Sequence, residues 1–542
     1  MKPLKYILMS CCVLAAGCDD FLVENPETSV SNTGVYNSLS SANAVLIGCY
    51  GQMQSQNCYS FNYLHVLSAS SGMGVSIKQT DVNLTSMNVL PSDVNVSNVY
   101  NGTYKTIMVA NDIIKGMNTS LLPESVEKNR IHGEAYFIRA LSYFNLVRLF
   151  GKVSLITEPV TSYENAHVPR TDVDRVYKQI LFDLQKAWEL LPEKADRAEG
   201  YPYKYAAKAL RAKVYLTLAG NDENSEYWQL CYDDALDVMK NGGYKLVTPY
   251  TNLFGSPNKN NEESIFEIQF SATASEGRMT ETTFPVGHEL MDKIPTQGQS
   301  WGKTRPNQIA FDQFDEKDPR REASFVYEKY VNIYGKGKNR NVWLYPSPAS
   351  NADKNSVFKK GDSEYAAWKK YYDPMMTARS TNANFVYMRY ADVLLMLAEA
   401  ANELPEHQSE AHIYLNMVLD RAADANGNGM RDESESVPAT IEESVSKEEL
   451  REIIFRERLK EFTGECDEWY TVRRRGESYL KKIMQEHNDK IDQIFPDGKL
   501  RTFVYKYNIT DDNVKKNMLL PFPQDEITRN ENISQEEQNF GY

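Results

Sequence analysis

The chain has 542 residues, of which 42% are hydrophobic and 25% are charged, close to the averages for globular proteins. This composition argues against general disorder and against a protein that crosses a membrane many times. The 60 Lys and Arg residues are outnumbered by 74 Asp and Glu residues, so nucleic acid is not expected as a partner, because its phosphates need cations to neutralise them.

Residues 1–17 are predicted to be a secretory signal. Lys2 and Lys5 precede a mostly apolar run from Tyr6 to Ala16, and small residues then lead to Cys18. The run is too short to span a bilayer, which takes about 20 residues in a helix. Leu14-Ala15-Ala16-Gly17-Cys18 resembles the lipobox of bacterial lipoproteins, which implies cleavage before Cys18 and acylation of that residue.

The alternative for Cys18 is a chance cysteine near the cleavage site of an ordinary secreted protein. Asp19 and Asp20 count against it, because acidic residues after the cysteine resemble those of lipoproteins exported to the outer face of Gram-negative bacteria. Residues 18–35 are therefore predicted to be a lipidated cysteine and its tether. Two or more acyl chains would hold the protein stably on the membrane.

The remaining cysteines are Cys49, Cys58, Cys231 and Cys466, and their spacing matches no metal-ligand pattern. The histidines are scattered singly, so no metal site is expected. A disulfide between Cys49 and Cys58 stays open at this level.

The clearest helix is predicted from Thr171 to Leu191. Thr171 and Asp174 form a capping-box start, and apolar residues recur every three or four positions until Pro192. Two helix-turn-helix units follow. One has helices at 205–219 and 227–239, and the other at 389–402 and 410–423. Units of roughly 34 residues match the period of tetratricopeptide repeats.

Between residues 247 and 384 helical periodicity fades, and Gly, Pro, Asn and aromatic residues increase. Ile265 to Phe270 is predicted to be a short strand. Asn57 to Asn98 has the same irregular character. Since recognition residues concentrate on loops, the ligand site is expected in these two regions.

Several motifs occur in a recognisable order, and together they resemble the SusD/RagB family of outer-membrane nutrient-binding lipoproteins. They are Gly133–Gly151, Asn261–Phe270, Asp318–Arg321, Arg389–Ala400, Arg456–Phe462, Leu519–Ile527 and Gln538–Tyr542. The resemblance implies a mostly α, SusD-like fold built on tetratricopeptide-like helix pairs, with a loop-rich insertion containing short strands. It also implies one domain over 36–542, with a helical core at about 36–246 and 385–542 and an irregular capping region at about 247–384.

The family implies a function as well. Its members resemble lids on a SusC-like, TonB-dependent outer-membrane barrel, and they capture an oligosaccharide or a peptide outside the cell. The resemblance implies neither catalysis nor a cofactor. Gly464–Trp469 departs from the family pattern, as does Tyr100, which stands where a Trp is common. Both departures weaken the transfer of individual ligand contacts.

Aromatic residues in the irregular regions are the candidate ligand contacts. Trp301, in a stretch without helical periodicity, is either a sugar platform or a loop anchor. Tyr59, Phe61 and Tyr63 alternate, which fits a shared ligand face or a half-buried strand equally well. Trp343 shows the same ambiguity with Tyr345.

Charged residues among apolar neighbours are interpreted as buried ion pairs, because a buried charge persists only when it is paired. The four residues are Arg139, Arg148, Arg389 and Glu399. The run Arg473-Arg474-Arg475 is interpreted as the cationic end of a helix.

Two other function classes are considered. A surface glycoside hydrolase would need two carboxylates, which Asp312, Asp315 and Asp318 could supply, although Asp318-Pro319-Arg320 also matches a structural turn of the family. A pure scaffold would bind only protein through its repeats.

Overall fold

The computed structural model describes residues 32–194, 199–271, 297–298, 302–331, 341–345, 365–373, 377–378, 381–431, 437–500 and 503–542. The predicted signal at 1–17 and Cys18 lie outside these ranges, and so does most of the tether. Within these ranges, no helix is both long and apolar enough to cross a membrane.

The first part of the chain is mainly helical. Its helices are α1 (Asn32–Val35), α2 (Leu39–Met53), α3 (Asn62–Ala69), α4 (Val82–Thr85), α5 (Val94–Thr119), α6 (Val126–Phe150), α7 (Tyr163–Ala166), α8 (Val173–Leu190), α9 (Lys204–Ala219) and α10 (Tyr227–Asn241). Side chains cap the two longest: Asp93 accepts from Asn95 N at 2.9 Å, and Ser125 accepts from Lys128 N at 3.2 Å.

Helices also dominate the last part. They are α13 (Tyr390–Glu403), α14 (Ala411–Ala422), α15 (Lys447–Glu461), α16 (Glu468–Arg474), α17 (Glu477–Ile494), α18 (Asp511–Lys516) and α19 (Gln524–Arg529). Between the two parts lie only α11 (Gln308–Asp312) and α12 (Pro319–Ser324) among the described helices. The mostly α fold expected from the sequence is confirmed.

The strands are short and pair in twos, and most lie in the irregular region. They are β1 (Gly74–Ser76), β2 (Val153–Ser154), β3 (Arg170–Thr171), β4 (Ser264–Ile268), β5 (Gln297–Gly298), β6 (Thr304–Pro306), β7 (Phe325–Val326), β8 (Lys329–Val331), β9 (Asn341–Trp343), β10 (Ala367–Trp368), β11 (Thr377–Ala378) and β12 (Phe385–Arg389). The predicted strand at 265–270 is β4, which is antiparallel to β12.

The predicted helix pairs are present as α9 with α10 and α13 with α14, and α10 packs on α13 to join them. The start of α8 differs from the prediction. Thr171 pairs with Val153 in the β2–β3 ladder instead of capping the helix, and Asp172 takes the position before Val173. Gly133 allows α6 to lie close to the end of α8, since a Cβ there would sit 3.0 Å from Leu191 N.

Buried ion pairs connect distant parts of the chain, as predicted for Arg139, Arg389 and Glu399. Arg139 donates to both carboxylate oxygens of Asp183 at 2.8 and 2.7 Å. Glu399 accepts from Arg474 at 2.8 Å and from Arg475 at 3.1 Å. The basic run at the end of α16 therefore meets a carboxylate as well as the helix dipole.

One group of paired charges, here called the Arg389 cluster, includes Arg389, Arg421, Glu263, Glu461 and Glu465. Arg389 lies 2.8 Å from Glu263, 2.6 Å from Glu461 and 2.9 Å from Glu465, and Arg421 pairs with Glu263 and Glu461. Since Glu263 precedes β4 while the other members lie on or beside α14, α15 and β12, the cluster fastens the irregular region to the helices.

The prediction that Arg148 forms a buried ion pair is wrong. Its guanidinium carbon lies 3.7 Å from the ring centroid of Phe144 and 3.6 Å from that of Tyr470. In the described part of the chain it pairs with no carboxylate and donates instead to neutral oxygens. Cation–π contacts with two rings replace the expected partner.

The four cysteines from Cys49 to Cys466 are free and buried. Cys49 and Cys58 therefore form no disulfide, which answers the question that their sequence spacing left open.

Candidate functional site

Phe61 lies in the early irregular region, in the turn directly before α3. Its ring is half-buried and stacks on the ring of His65, with centroids 5.3 Å apart and planes 8° from parallel. The ammonium of Lys303 lies 5.2 Å from the Phe61 centroid. We call Phe61 and Lys303 the Phe61 surface.

The two chain segments of this surface are held together by a β ladder. Val75 pairs with Arg305 in the antiparallel β1–β6 pair, and Ile77 N donates to Lys303 O at 2.8 Å. Because the segments are more than two hundred residues apart, this ladder is what brings Lys303 to Phe61.

A buried pair, His65 and Asp81, lies below this surface and fixes the His65 ring on which Phe61 stacks. His65 Nε2 lies 2.9 Å from Asp81 Oδ2, and Ser76 Oγ and Thr80 Oγ1 also donate to this carboxylate. Burial acts to raise the pKa of Asp81, but the hydrogen bond and charge of His65 lower it to about 2. An ionised Asp81 only accepts hydrogen bonds, so His65 Nε2 is the donor and the ring has one orientation.

Tyr59 and Tyr63 do not share an open face with Phe61. They are 4% and 3% exposed, and they belong to the hydrophobic core. Tyr59 Oη accepts from Asn145 Nδ2 at 2.6 Å, and Tyr63 Oη lies 2.8 Å from Tyr470 Oη. Residues 59–61 form a turn and α3 begins at Asn62, so the alternating aromatics do not form a strand.

The two tryptophans predicted to contact ligand are only partly placed. Trp301 lies outside the described residues. Trp343 ends β9, where it pairs with Lys329, but its side chain is not among those described. Their roles stay predictions.

The acids considered for hydrolysis have structural contacts. Asp312 accepts from Tyr345 Oη at 2.6 Å and pairs with Lys490 at 2.5 Å. Asp315 accepts from Lys317 N at 2.8 Å, within a turn. Asp318 caps α12 and pairs with buried Arg320 at 2.9 Å, so Asp318-Pro319-Arg320 is a structural turn, as the family pattern indicated.

A second open site was not foreseen from the sequence. A cleft of about 230 Å³ lies between α2, residues 199–201 and the end of β4. The rings of Tyr50 and Tyr201 meet there at 78° with centroids 5.5 Å apart, and Gln54 Nε2 donates to Gln269 O at 2.6 Å. We call these four residues the Tyr201 cleft.

Within the described residues, no group of three or more His, Cys, Asp or Glu side chains could hold a metal ion. The side chains of the Phe61 surface and the Tyr201 cleft offer aromatic faces, amides and a single charge.

Comparison with known proteins gives consistent matches over most of the chain. The SusD family model matches residues 262–542, just over half of the chain, and a model described as "Starch-binding associating with outer membrane" matches residues 20–216. SusD-like protein P2 of Formosa agariphila is 28% identical over 88% of this chain and 91% of its own length. A SusD-like protein of Bacteroides ovatus is 26% identical over 87% and 82%.

Solved structures agree on the fold. A SusD homolog from Bacteroides thetaiotaomicron superposes with a TM-score of 0.73 at 21% identity, covering 95% of this chain and 99% of the other. A second structure, determined with a xylogluco-oligosaccharide, gives a TM-score of 0.67 at 21% identity over 91% and 98%.

Proposed function

The chain belongs to the SusD family, and from this premise we propose that it is a cell-surface lipoprotein that captures an oligosaccharide and delivers it to a SusC-like, TonB-dependent outer-membrane barrel. The family description, starch binding in association with the outer membrane, supports the ligand class and the location. The relative solved with a xylogluco-oligosaccharide supports a glycan over a peptide.

We place the glycan on the Phe61 surface. The single observation that carries this assignment is a half-buried aromatic ring whose orientation is fixed from below by His65 and Asp81. Sugars bind by packing the apolar face of a pyranose on such a ring, while polar groups at its edge take the hydroxyls. Lys303, whose ammonium lies over the Phe61 ring, is the proposed donor to those hydroxyls, and Trp301 and Trp343 are the proposed additional platforms.

Cys18 is the proposed anchor. After cleavage of residues 1–17, acyl chains on Cys18 would hold the body at the outer face through the tether at 18–35. Labelling with an azide-bearing palmitate, followed by gel shift of wild type and Cys18→Ser, tests this directly. An unlabelled wild-type protein would contradict the anchor.

We also propose that the protein binds without catalysis. The structural contacts of Asp312, Asp315 and Asp318 support this, because each carboxylate already serves a turn, a cap or an ion pair. Reducing-sugar release from a polysaccharide panel, abolished by Asp312→Asn, would overturn it and favour the hydrolase.

The central experiment is titration of protein lacking residues 1–18 with glucan and xyloglucan oligosaccharides and with peptides of similar length. We expect glycan binding that falls at least tenfold in Phe61→Ala. Tyr201→Ala is the matched control, because it removes a similar ring from the other open cleft. A loss in Tyr201→Ala alone would move the glycan to that cleft, and binding of peptides alone would change the ligand class.

The barrel is tested by co-purification from the native outer membrane. Recovery of a TonB-dependent barrel with the full-length protein supports delivery. Capture of that barrel together with failure to bind any glycan or peptide would favour the scaffold function.

A further inference from the structure

A cavity of about 240 Å³ lies between α6, α9, α16 and the segment at 518–519, and its lining contains neither Phe61 nor Lys303. Its lining includes five cationic side chains, Arg148, Lys213, Arg458, Arg473 and Arg474. We call it the Arg148 cavity. Such a concentration of positive charge is unexpected inside a protein whose overall charge is −14.

Carboxylates neutralise only part of this charge. Asp392 and Asp467 lie 2.8 Å from Lys213 and also pair with Arg458. Glu399 pairs with Arg474, but it is shared with Arg475 outside the lining. Three carboxylates therefore serve the five lining cations, which leaves a surplus of at least two positive charges.

The surplus belongs to Arg148 and Arg473. In the described ranges neither pairs with a carboxylate. Arg148 contacts two rings and neutral oxygens, and Arg473 donates to carbonyls of Asn517 at 2.8 Å and Ser70 at 2.9 Å.

Two further observations show how costly this arrangement is without a counter-ion. Nε and Nη1 of Arg458, which is 2% exposed, have no hydrogen-bond partner among the described residues. Burial lowers the pKa of Arg473 to about 9, which means that its charged form is destabilised where it lies. An uncompensated buried charge is strongly unfavourable, so the charges call for an anion.

The cavity is large enough and open enough to admit one. Thr217, Met518 and Leu519 in its lining are half-buried, so the cavity reaches solvent between α9 and the segment after α18. Its volume exceeds that needed for a single water several times over. Charged N–H donors bind sulfate and phosphate oxygens strongly, and Nε and Nη1 of Arg458 in the lining have no partner among the described residues, which favours an oxyanion over a halide.

We propose that the Arg148 cavity binds a small tetrahedral oxyanion, a sulfate or phosphate group, between Arg148 and Arg473. A divalent group matches the surplus of two charges. The group could be a free ion or an ester on a small sugar, since both present the same three or four oxygens. The inference is independent of the proposed glycan site, because it rests on no residue of the Phe61 surface.

The test uses the full body in a buffer free of sulfate and phosphate. Calorimetric titration with sodium sulfate, sodium phosphate and glucose 6-sulfate is compared with sodium chloride at equal ionic strength. We expect saturable binding of at least one oxyanion and none of chloride, with at least tenfold weaker binding in Arg148→Met and Arg473→Met. The preferred probe tells a free ion from an ester.

Arg529→Gln is the matched control, because it removes an exposed arginine that pairs with Asp525 outside the cavity. Should the cavity variants fail to fold, soaking wild-type crystals with selenate still decides the matter, since selenium is located by its anomalous scattering. A peak between the guanidinium groups of Arg148 and Arg473 is expected. A cavity holding only water after the soak, or no saturable oxyanion binding, would overturn the proposal.

Discussion

The Arg389 cluster and the Phe61 surface both combine charged and aromatic side chains from distant parts of the chain, but they do so in opposite ways. In the Arg389 cluster every charge faces an opposite charge and the members are almost wholly buried. At the Phe61 surface the ammonium of Lys303 lies over a half-buried ring, 5.2 Å from its centroid. Burial with pairing gives rigidity, whereas a half-buried ring leaves part of its surface accessible to a ligand.

The difference implies that mutations in the two regions should separate stability from binding. Changes in the Arg389 cluster should lower the free energy of unfolding and leave the glycan affinity of the folded fraction intact. Changes at the Phe61 surface should do the reverse. The following variants test this separation, beginning with the largest expected effect.

Glu461→Gln should be the most destabilising. Glu461 accepts from Arg389 at 2.6 Å, from Arg320 at 3.0 Å and from Arg421, so its neutralisation removes one carboxylate charge shared by three buried cations. We expect the free energy of unfolding to fall by about 3 to 5 kcal/mol in urea titrations. Exposed Glu536→Gln is the control. Unchanged stability in Glu461→Gln would show that the cluster does not fasten the two regions.

Acid should weaken the paired network through Glu399. Burial acts to raise its pKa, but Arg474 and Arg475 lower it to about 2, below the value of 4.5 expected for an exposed glutamate. An acid with a lowered folded-state pKa stabilises the protein above the unfolded-state pKa, and this contribution is lost as the pH falls toward the folded-state value.

Between pH 4.5 and 2 the contribution of Glu399 should therefore fall by about 3 kcal/mol. Unfolding measured at a series of pH values should show a shallower acid slope in Glu399→Gln than in wild type. Equal slopes would mean that the pairing with Arg474 and Arg475 does not stabilise the ionised form.

Sequence patterns predicted the helical regions well, because an amphipathic helix is defined by residues three and four apart. The periodicity at 173–191 and the two helix-turn-helix units each gave a helix within a few residues of its observed bounds. Only the cap failed, since pairing of Thr171 with Val153 is a contact that local sequence does not encode.

The sequence could not predict which residues, distant in the chain, contact one another. It identified Arg389 as a buried charge but not Glu461 or Glu263, which lie 72 and 126 residues away. At the candidate site, alternation placed Tyr59, Phe61 and Tyr63 on one face, but the turn into α3 buries two of the three. The position of Lys303 depends on the β1–β6 ladder, and no local sequence pattern predicts that pairing.

Asp81→Asn should affect both stability and binding, but moderately. It weakens the hydrogen bond that fixes His65, and a poorly satisfied buried donor costs about 1 to 2 kcal/mol. We expect a matching loss in the free energy of unfolding and weaker glycan binding, because the ring under Phe61 is no longer held. Thr80→Val, which removes only one donor to Asp81, should have a smaller effect. Equal effects would show that the charge of Asp81 is unimportant.

Lys303→Met should give the smallest effect and the sharpest test of how open the Phe61 surface is. Lys303 is partly buried, and its cation 5.2 Å from the ring centroid contributes about 1 kcal/mol, so stability should change little. If Lys303 also donates to sugar hydroxyls, glycan affinity should fall by about fivefold or less, since 1.4 kcal/mol corresponds to tenfold. Lys78→Met is the matched control, because its ammonium lies 3.6 Å from Asp81 and not over the ring. An affinity loss in Lys78→Met equal to that in Lys303→Met would mean that positive charge in general, rather than the ammonium over the Phe61 ring, attracts the ligand.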